Sequence, residues 1–238
     1  MFLLFLHLNL VKRFIISTRK YITMKIVYIA ISLLALNVSI SRAQQSSLTI
    51  GLGKPLTTHS VTDVSGSPFL TDSFQNSDVT TPGGHKLSNV PLRYNVYDQT
   101  IEYMVNSQIY DVTDSITRFS FTDSLTRINT FIKPVFLSKN GKTFYYKILV
   151  EGNSSLLKSY AAEITTEEDW YTKKITKKYV TKSEYFLLAD NKVTKLGTNK
   201  RSFIEAFNND PKVKVQLDKQ APDFKNETSL IHFFEGLN

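Results

Sequence analysis

The sequence predicts a mainly β (α+β) protein, an antiparallel meander or curved sheet with two or three C-terminal helices packed on it. Three observations carry that expectation. From Pro68 to Gly197 apolar side chains recur at every second position and turn residues interrupt them at short spacing, which is the pattern of antiparallel strands. After Gly197 the apolar spacing changes to three and four residues, the period of a helix with one buried stripe. None of the 238 residues is cysteine, so the chain has no disulfide framework, no thiolate metal site and no cysteine nucleophile, and it must be held by burial.

Residues 1–43 read as a leader. Ile26 to Ile40 is nearly continuously apolar, with Lys25 before it and Ser41-Arg42-Ala43 after it. A basic segment, an apolar stretch and small residues at the peptidase positions make a signal peptide over 24–43, with Met24 as the true start and cleavage between Ala43 and Gln44. The stretch falls short of the about 20 apolar residues that span a bilayer, and Asn37 interrupts it. The expectation is export to the periplasm or the outer-membrane periphery, with no transmembrane segment in the mature chain. Without cysteine the chain cannot carry a lipoprotein anchor.

The formal charge of +8 belongs mostly to that leader. Six basic residues and no acid lie in residues 1–43, which leaves 23 basic against 21 acidic side chains in the rest. A nearly neutral exported chain does not fit nucleic acid.

Residues 44–67, rich in Ser, Thr and Gly, read as a flexible N-terminal segment. Residues 68–238 read as a single domain, β over 68–197 and helical over 198–238. Leu92, Tyr94 and Val96 share one strand face and Ile101, Tyr103 and Val105 the next, across Asp98-Gln99. Thr117 to Phe121 and Ile128 to Ile132 follow. Asn140-Gly141 is the strongest hairpin signal, because a two-residue type I′ turn needs positive φ at both positions. Phe144 to Val150 is apolar on both faces, which suits a central strand. Glu151-Gly152-Asn153 turns the chain into Leu156 to Ile164. Tyr179 to Ala189 then pairs across Asp190-Asn191 with Lys192 to Leu196, making about nine or ten strands. Pro82-Gly83-Gly84 and Pro134 mark loops or edges.

In the helical part, Phe203, Ile204 and Phe207 share a stripe. Asp210-Pro211 is an N-cap with proline at the first helical position, and Ala221-Pro222 ends that helix. Asn226 caps the last helix, whose Leu230, Phe233, Phe234 and Leu237 fall at i, i+3, i+4 and i+7.

The chemistry-bearing residue types are sparse. His59, His85 and His232 are scattered, without a second ligand at metal spacing. Gly51-Leu52-Gly53-Lys54 lacks the spacing of a phosphate loop. Asp111 with Asp114, and Glu167, Glu168 and Asp169, are the local carboxylate clusters a carboxylate-dependent hydrolase would draw on, although Thr165 with Glu168 also fits a capping box opening a helical turn around Trp170. Lys173, Lys174, Lys177, Lys178 and Lys182 form the one basic cluster. It fits either contact with an anionic lipid or glycan surface or a strand edge guarded by lysine. No catalytic, cofactor-binding or metal residue is assigned. The expected function is a non-catalytic binding or assembly module with envelope proteins, glycans or lipids as partners. The alternative is a carrier of a lipid or other apolar ligand, resting on Phe119, Phe121, Phe144, Tyr146, Tyr185 and Phe186.

The blocks Asn89-Val90-Pro91-Leu92-Arg93-Tyr94-Asn95-Val96-Tyr97 and Lys178-Tyr179-Val180-Thr181-Lys182-Ser183-Glu184-Tyr185-Phe186-Leu187-Leu188 resemble uncharacterised exported proteins of Bacteroidota-type bacteria. That resemblance implies export from such a cell and brings no activity with it. Asp114-Ser115-Ile116 and Asp123-Ser124-Leu125 resemble the O-glycosylation acceptor of exported proteins in those bacteria.

Overall fold

The computed structural model describes residues 53–56, 63–134 and 144–238. The leader, the Ala43-Gln44 cleavage pair, His59 and the Asn140-Gly141 turn lie outside the described residues.

Among the described residues strand outweighs helix, 46% to 16%, so the protein is mainly β. The strands are β1 (Lys54–Pro55), β2 (Val64–Ser65), β3 (Gln75–Thr80), β4 (Lys86–Asn95), β5 (Thr100–Val105), β6 (Gln108–Asp111), β7 (Arg118–Thr122), β8 (Ile128–Ile132), β9 (Tyr146–Val150), β10 (Ser155–Glu168), β11 (Ile175–Ala189) and β12 (Lys192–Lys195). They form one 12-stranded sheet in the order β1-β6-β5-β4-β3-β7-β8-β9-β10-β11-β12, with β2 added to β11. Every pairing is antiparallel except β2 on β11.

Two of these strands fall within 44–67. Lys54–Pro55 pairs with the open edge of β6 and Val64–Ser65 with that of β11. Unpaired edge amides attract any extended neighbour, and an edge tolerates Pro55. The two extra short strands also raise the count above nine or ten.

The hairpins follow the turn chemistry. Asn106-Ser107 and Asp190-Asn191 have positive φ at both residues, joining β5 to β6 and β11 to β12 as two-residue type I′ turns do. The capping box at Thr165 and Glu168 does not form. Those residues extend β10, with Thr165 opposite Lys178 and Glu168 opposite Ile175. The β-branched run Ile164-Thr165-Thr166 favours strand, and a facing ladder satisfies the backbone more fully than one helical turn.

The sheet curls back on itself. Val96, just past β4, accepts from the Ala162 amide of β10 at 2.9 Å, although four strands lie between β4 and β10 in the sheet. Buried Gln99 locks this closure: its amide donates to the carbonyls of Val96 (2.7 Å) and Tyr160 (2.9 Å), and its oxygen accepts from the Tyr94 hydroxyl. Inside the curl Val79, Leu92, Tyr94, Ile101, Phe119, Phe131 and Tyr145 form the first core. Phe119 and Phe131 stack at 4.8 Å, with Tyr145 edge-on to Phe119. Burial pushes the phenols of Tyr94 and Tyr145 far up. On the outside of β4 and β5, Arg93 pairs with Glu102 at 2.6 Å and lies over the rings of Phe69 and Phe74.

Three helices close the second core: α1 (Lys200–Ala206), α2 (Pro211–Lys219) and α3 (Glu227–Glu235). Asn199, Asp210 and Asn226 cap them by accepting from Ser202, Lys212 and Ser229 amides. Phe203, Phe207, Phe233 and Phe234 pack against Val150, Leu156 and Leu187 of the sheet. Asn238 fastens the end of this layer to the β9–β10 turn through both backbone groups of Ser154. No helix among the described residues is long and apolar enough to cross a membrane.

Candidate functional site

Strand alternation gives β9–β12 two different faces. Odd residues of β10 and even residues of β11 point away from both cores, and there they leave a groove of about 590 Å³ lined by Phe144, Tyr146, Ser159, Ala161, Glu163, Lys182, Glu184, Phe186, Val193 and Lys195. Its size falls in the range of small-molecule sites, roughly 300–1,000 Å³. Tyr146 and Phe186 meet edge to face at 5.0 Å across β9 and β11, and the small Ser159 and Ala161 of β10 leave the floor low. The rim is ionic: Lys182 pairs with Glu163 and Lys195 with Glu184. Burial, with the Glu184 charge adding, raises the Tyr146 phenol.

The aromatic set singled out in the sequence divides between surroundings. Phe119 and Phe121 pack in the first core, Tyr185 on the helix side, and Phe144, Tyr146 and Phe186 at the groove. The space between the sheet and the helices is packed core, and the groove lies on the opposite face.

A charged cluster lies on the inner face where the two cores meet. Lys147 and Lys158 face each other across β9 and β10. Lys158 Nζ donates to Glu227 at 2.6 Å, and the Tyr185 hydroxyl donates to the same carboxylate at 3.1 Å. Burial by itself would raise the Glu227 carboxyl, but Lys158, Tyr185 and Lys147 together hold it below the usual range. Burial, with Glu227 adding, pushes the Tyr160 phenol up to about 12. Lys147 has no carboxylate or hydrogen-bond partner among the described residues, and burial lowers its ammonium despite the pull of Glu227. Of these residues only Tyr185 belongs to a set the sequence singles out; for the charged members the lysine at the centre of an otherwise apolar strand is the available signal.

The carboxylates proposed from sequence have structural employment. Asp111 accepts from the Thr113 amide and hydroxyl, Asp114 pairs with Lys133, Glu167 with Lys178 and Glu168 with Lys173. Asp169 ties its own turn, accepting from Tyr171 and Thr172 amides. The lysine cluster lies along the outer half of the β10–β11 hairpin. Lys173, Lys178 and Lys182 have carboxylate partners, while Lys174 and Lys177 have none among the described residues. His85 is exposed in the β3–β4 turn and His232 on α3 beside Glu235. The Asp123-Ser124-Leu125 triplet is an exposed turn whose Asp123 carboxylate is held down to about 2, chiefly by the Arg127 amide.

Fold and site together define a mainly β protein with a self-closing curved sheet, a three-helix cap on one face and an open aromatic groove on the other. Comparison with protein-family models, with curated proteins and with solved structures finds no match to this chain.

Proposed function

We propose that the protein is a non-catalytic binding module of the cell envelope, in the periplasm or at the outer-membrane periphery, whose ligand lies in the outer groove of β9–β12. The groove itself is the observation that carries this reading: about 590 Å³ of open space against Phe144, Tyr146 and Phe186 under an ion-paired rim. Apolar walls with a few polar groups at the margin are what a bound amphiphile requires. The same lining supports the second reading, a carrier of a lipid or other apolar ligand. Export is supported by the order of basic, apolar and small residues over 24–43, and N-terminal sequencing of the exported chain is expected to begin at Gln44.

Native mass spectrometry of protein purified from its own envelope tests the groove. A retained apolar mass is expected in the wild type and not in Ala161→Phe, whose new ring fills the groove from an exposed position. A bare mass in both, with no lipid-dependent shift in Tm, overturns the reading.

A further inference from the structure

The end of the β10–β11 hairpin has a composition that folding does not explain. Beyond Ile164 and Tyr179 four residue pairs continue to Glu168 and Ile175, about 14 Å of ribbon at 3.4 Å per residue, with the short β2 alongside β11 only at Lys177 and Lys178. At its end Trp170 is 82% exposed, Tyr171 79% and Ile175 63%. The turn that holds them is tightly built. The Asp169 amide donates to the Lys174 carbonyl and the Lys173 amide to the Asp169 carbonyl, and the Asp169 carboxylate accepts from two further amides. Trp170 and Tyr171 are set edge to face at 5.7 Å. The aromatic pair is thus pre-positioned in water, flanked by Lys174 and Lys177.

We propose that this hairpin end docks the protein on an anionic bilayer surface, with Trp170, Tyr171 and Ile175 entering the interface and Lys174 and Lys177 meeting lipid phosphates. Trp and Tyr favour the headgroup layer, where an apolar ring and a polar tip are both accommodated. Lysine stems extend along the apolar layer while the ammonium stays with the phosphates. The small size of the patch favours a bilayer over a protein partner. Three side chains on a narrow ribbon offer far less than the roughly 1,000 Å² a specific protein interface needs, whereas a fluid bilayer needs no complementary surface. This surface is separate from the groove and does not rest on the groove having a ligand.

Trp170 is the sole tryptophan of the chain, so its emission reads the site directly. Titration with phosphatidylethanolamine–phosphatidylglycerol vesicles is expected to shift that emission to the blue and to make it quenchable by lipids brominated near the headgroup. Phosphatidylcholine vesicles should act more weakly. Tyr171→Ser with Ile175→Ser should reduce partitioning roughly tenfold, since binding scales with the apolar area inserted. Lys174→Glu with Lys177→Glu should reduce it on anionic vesicles and flatten its salt dependence. All four positions are exposed, so circular dichroism should not change. The proposal is overturned by unshifted emission at saturating lipid, or by partitioning indifferent to both double variants. A lipid-independent blue shift that grows with protein concentration also overturns it, since a second copy would then be the partner.

Discussion

The two hydrophobic cores share one face of the strands but are closed by different means. The first is closed by the sheet meeting itself, through contacts such as Val96 with Ala162 and Gln99 with Tyr160, groups distant in sequence. The second is closed by helices drawn from Lys200 to Glu235, close to the strands they cover. Between them lies a place that neither closure makes fully apolar, and there Lys147, Lys158 and Glu227 reside. A long strand passing through two cores must cross such a seam, and polar side chains fill it.

Phe131→Ala in the first core and Phe234→Ala in the second are each expected to cost about 3–5 kcal/mol, the usual range for a buried ring. Because β10 contributes to both cores, Tyr160 to the first and Leu156 to the second, both variants should unfold in one transition, followed by circular dichroism in denaturant. Helix signal lost before sheet signal in Phe234→Ala would instead make the cores separate cooperative units.

Gln99→Ala should cost about 2–3 kcal/mol by stranding the buried partners Val96, Tyr160 and Tyr94. Gln99 has φ near 62°, so Gln99→Gly relieves the backbone while losing the same hydrogen bonds. If Gln99→Gly melts like the wild type, the closure does not depend on this side chain.

At the seam, Glu227→Gln should cost about 0.5–1 kcal/mol near neutral pH, discounted for its partial exposure. The folded carboxyl titrates below its unfolded value of about 4.3, so its stabilisation is present above that value and is lost as pH falls through the lower folded pKa. Denaturation across that window should therefore show a steeper acid loss in the wild type than in Glu227→Gln, and parallel curves would refute the coupling.

Lys147→Met should have the smallest effect and the opposite sign. Burial disfavours the Lys147 ammonium, so a neutral side chain of similar length is expected to stabilise by a few tenths to about 1 kcal/mol. A fall in Tm would mean that the charge is balanced by a partner it gains in the folded protein.

Local signals in the sequence hold where the neighbouring residues decide the outcome. Asp190-Asn191, Asn226 before its helix, and the alternation of Leu92, Tyr94 and Val96 all appear in the structure as expected. Thr165 to Glu168 misled because a capping box and a strand of β-branched residues are both locally reasonable, and the facing strand chooses between them. The groove was only partly legible. Phe144, Tyr146 and Phe186 stood out, but so did Phe119 and Phe121, and spacing alone does not separate a core ring from a groove ring.

The chain by itself determined the strands, the turn chemistry, the helix caps and the change of period near Gly197, because these depend on backbone preferences and on side chains within a few residues. Only the tertiary structure decided that the sheet closes through Gln99, that one face of β9–β12 is sealed by helices while the other stays open, and that Trp170 ends in solvent. Those outcomes depend on which distant strand lies alongside, and sequence periodicity records that a residue has a face without recording what that face will meet.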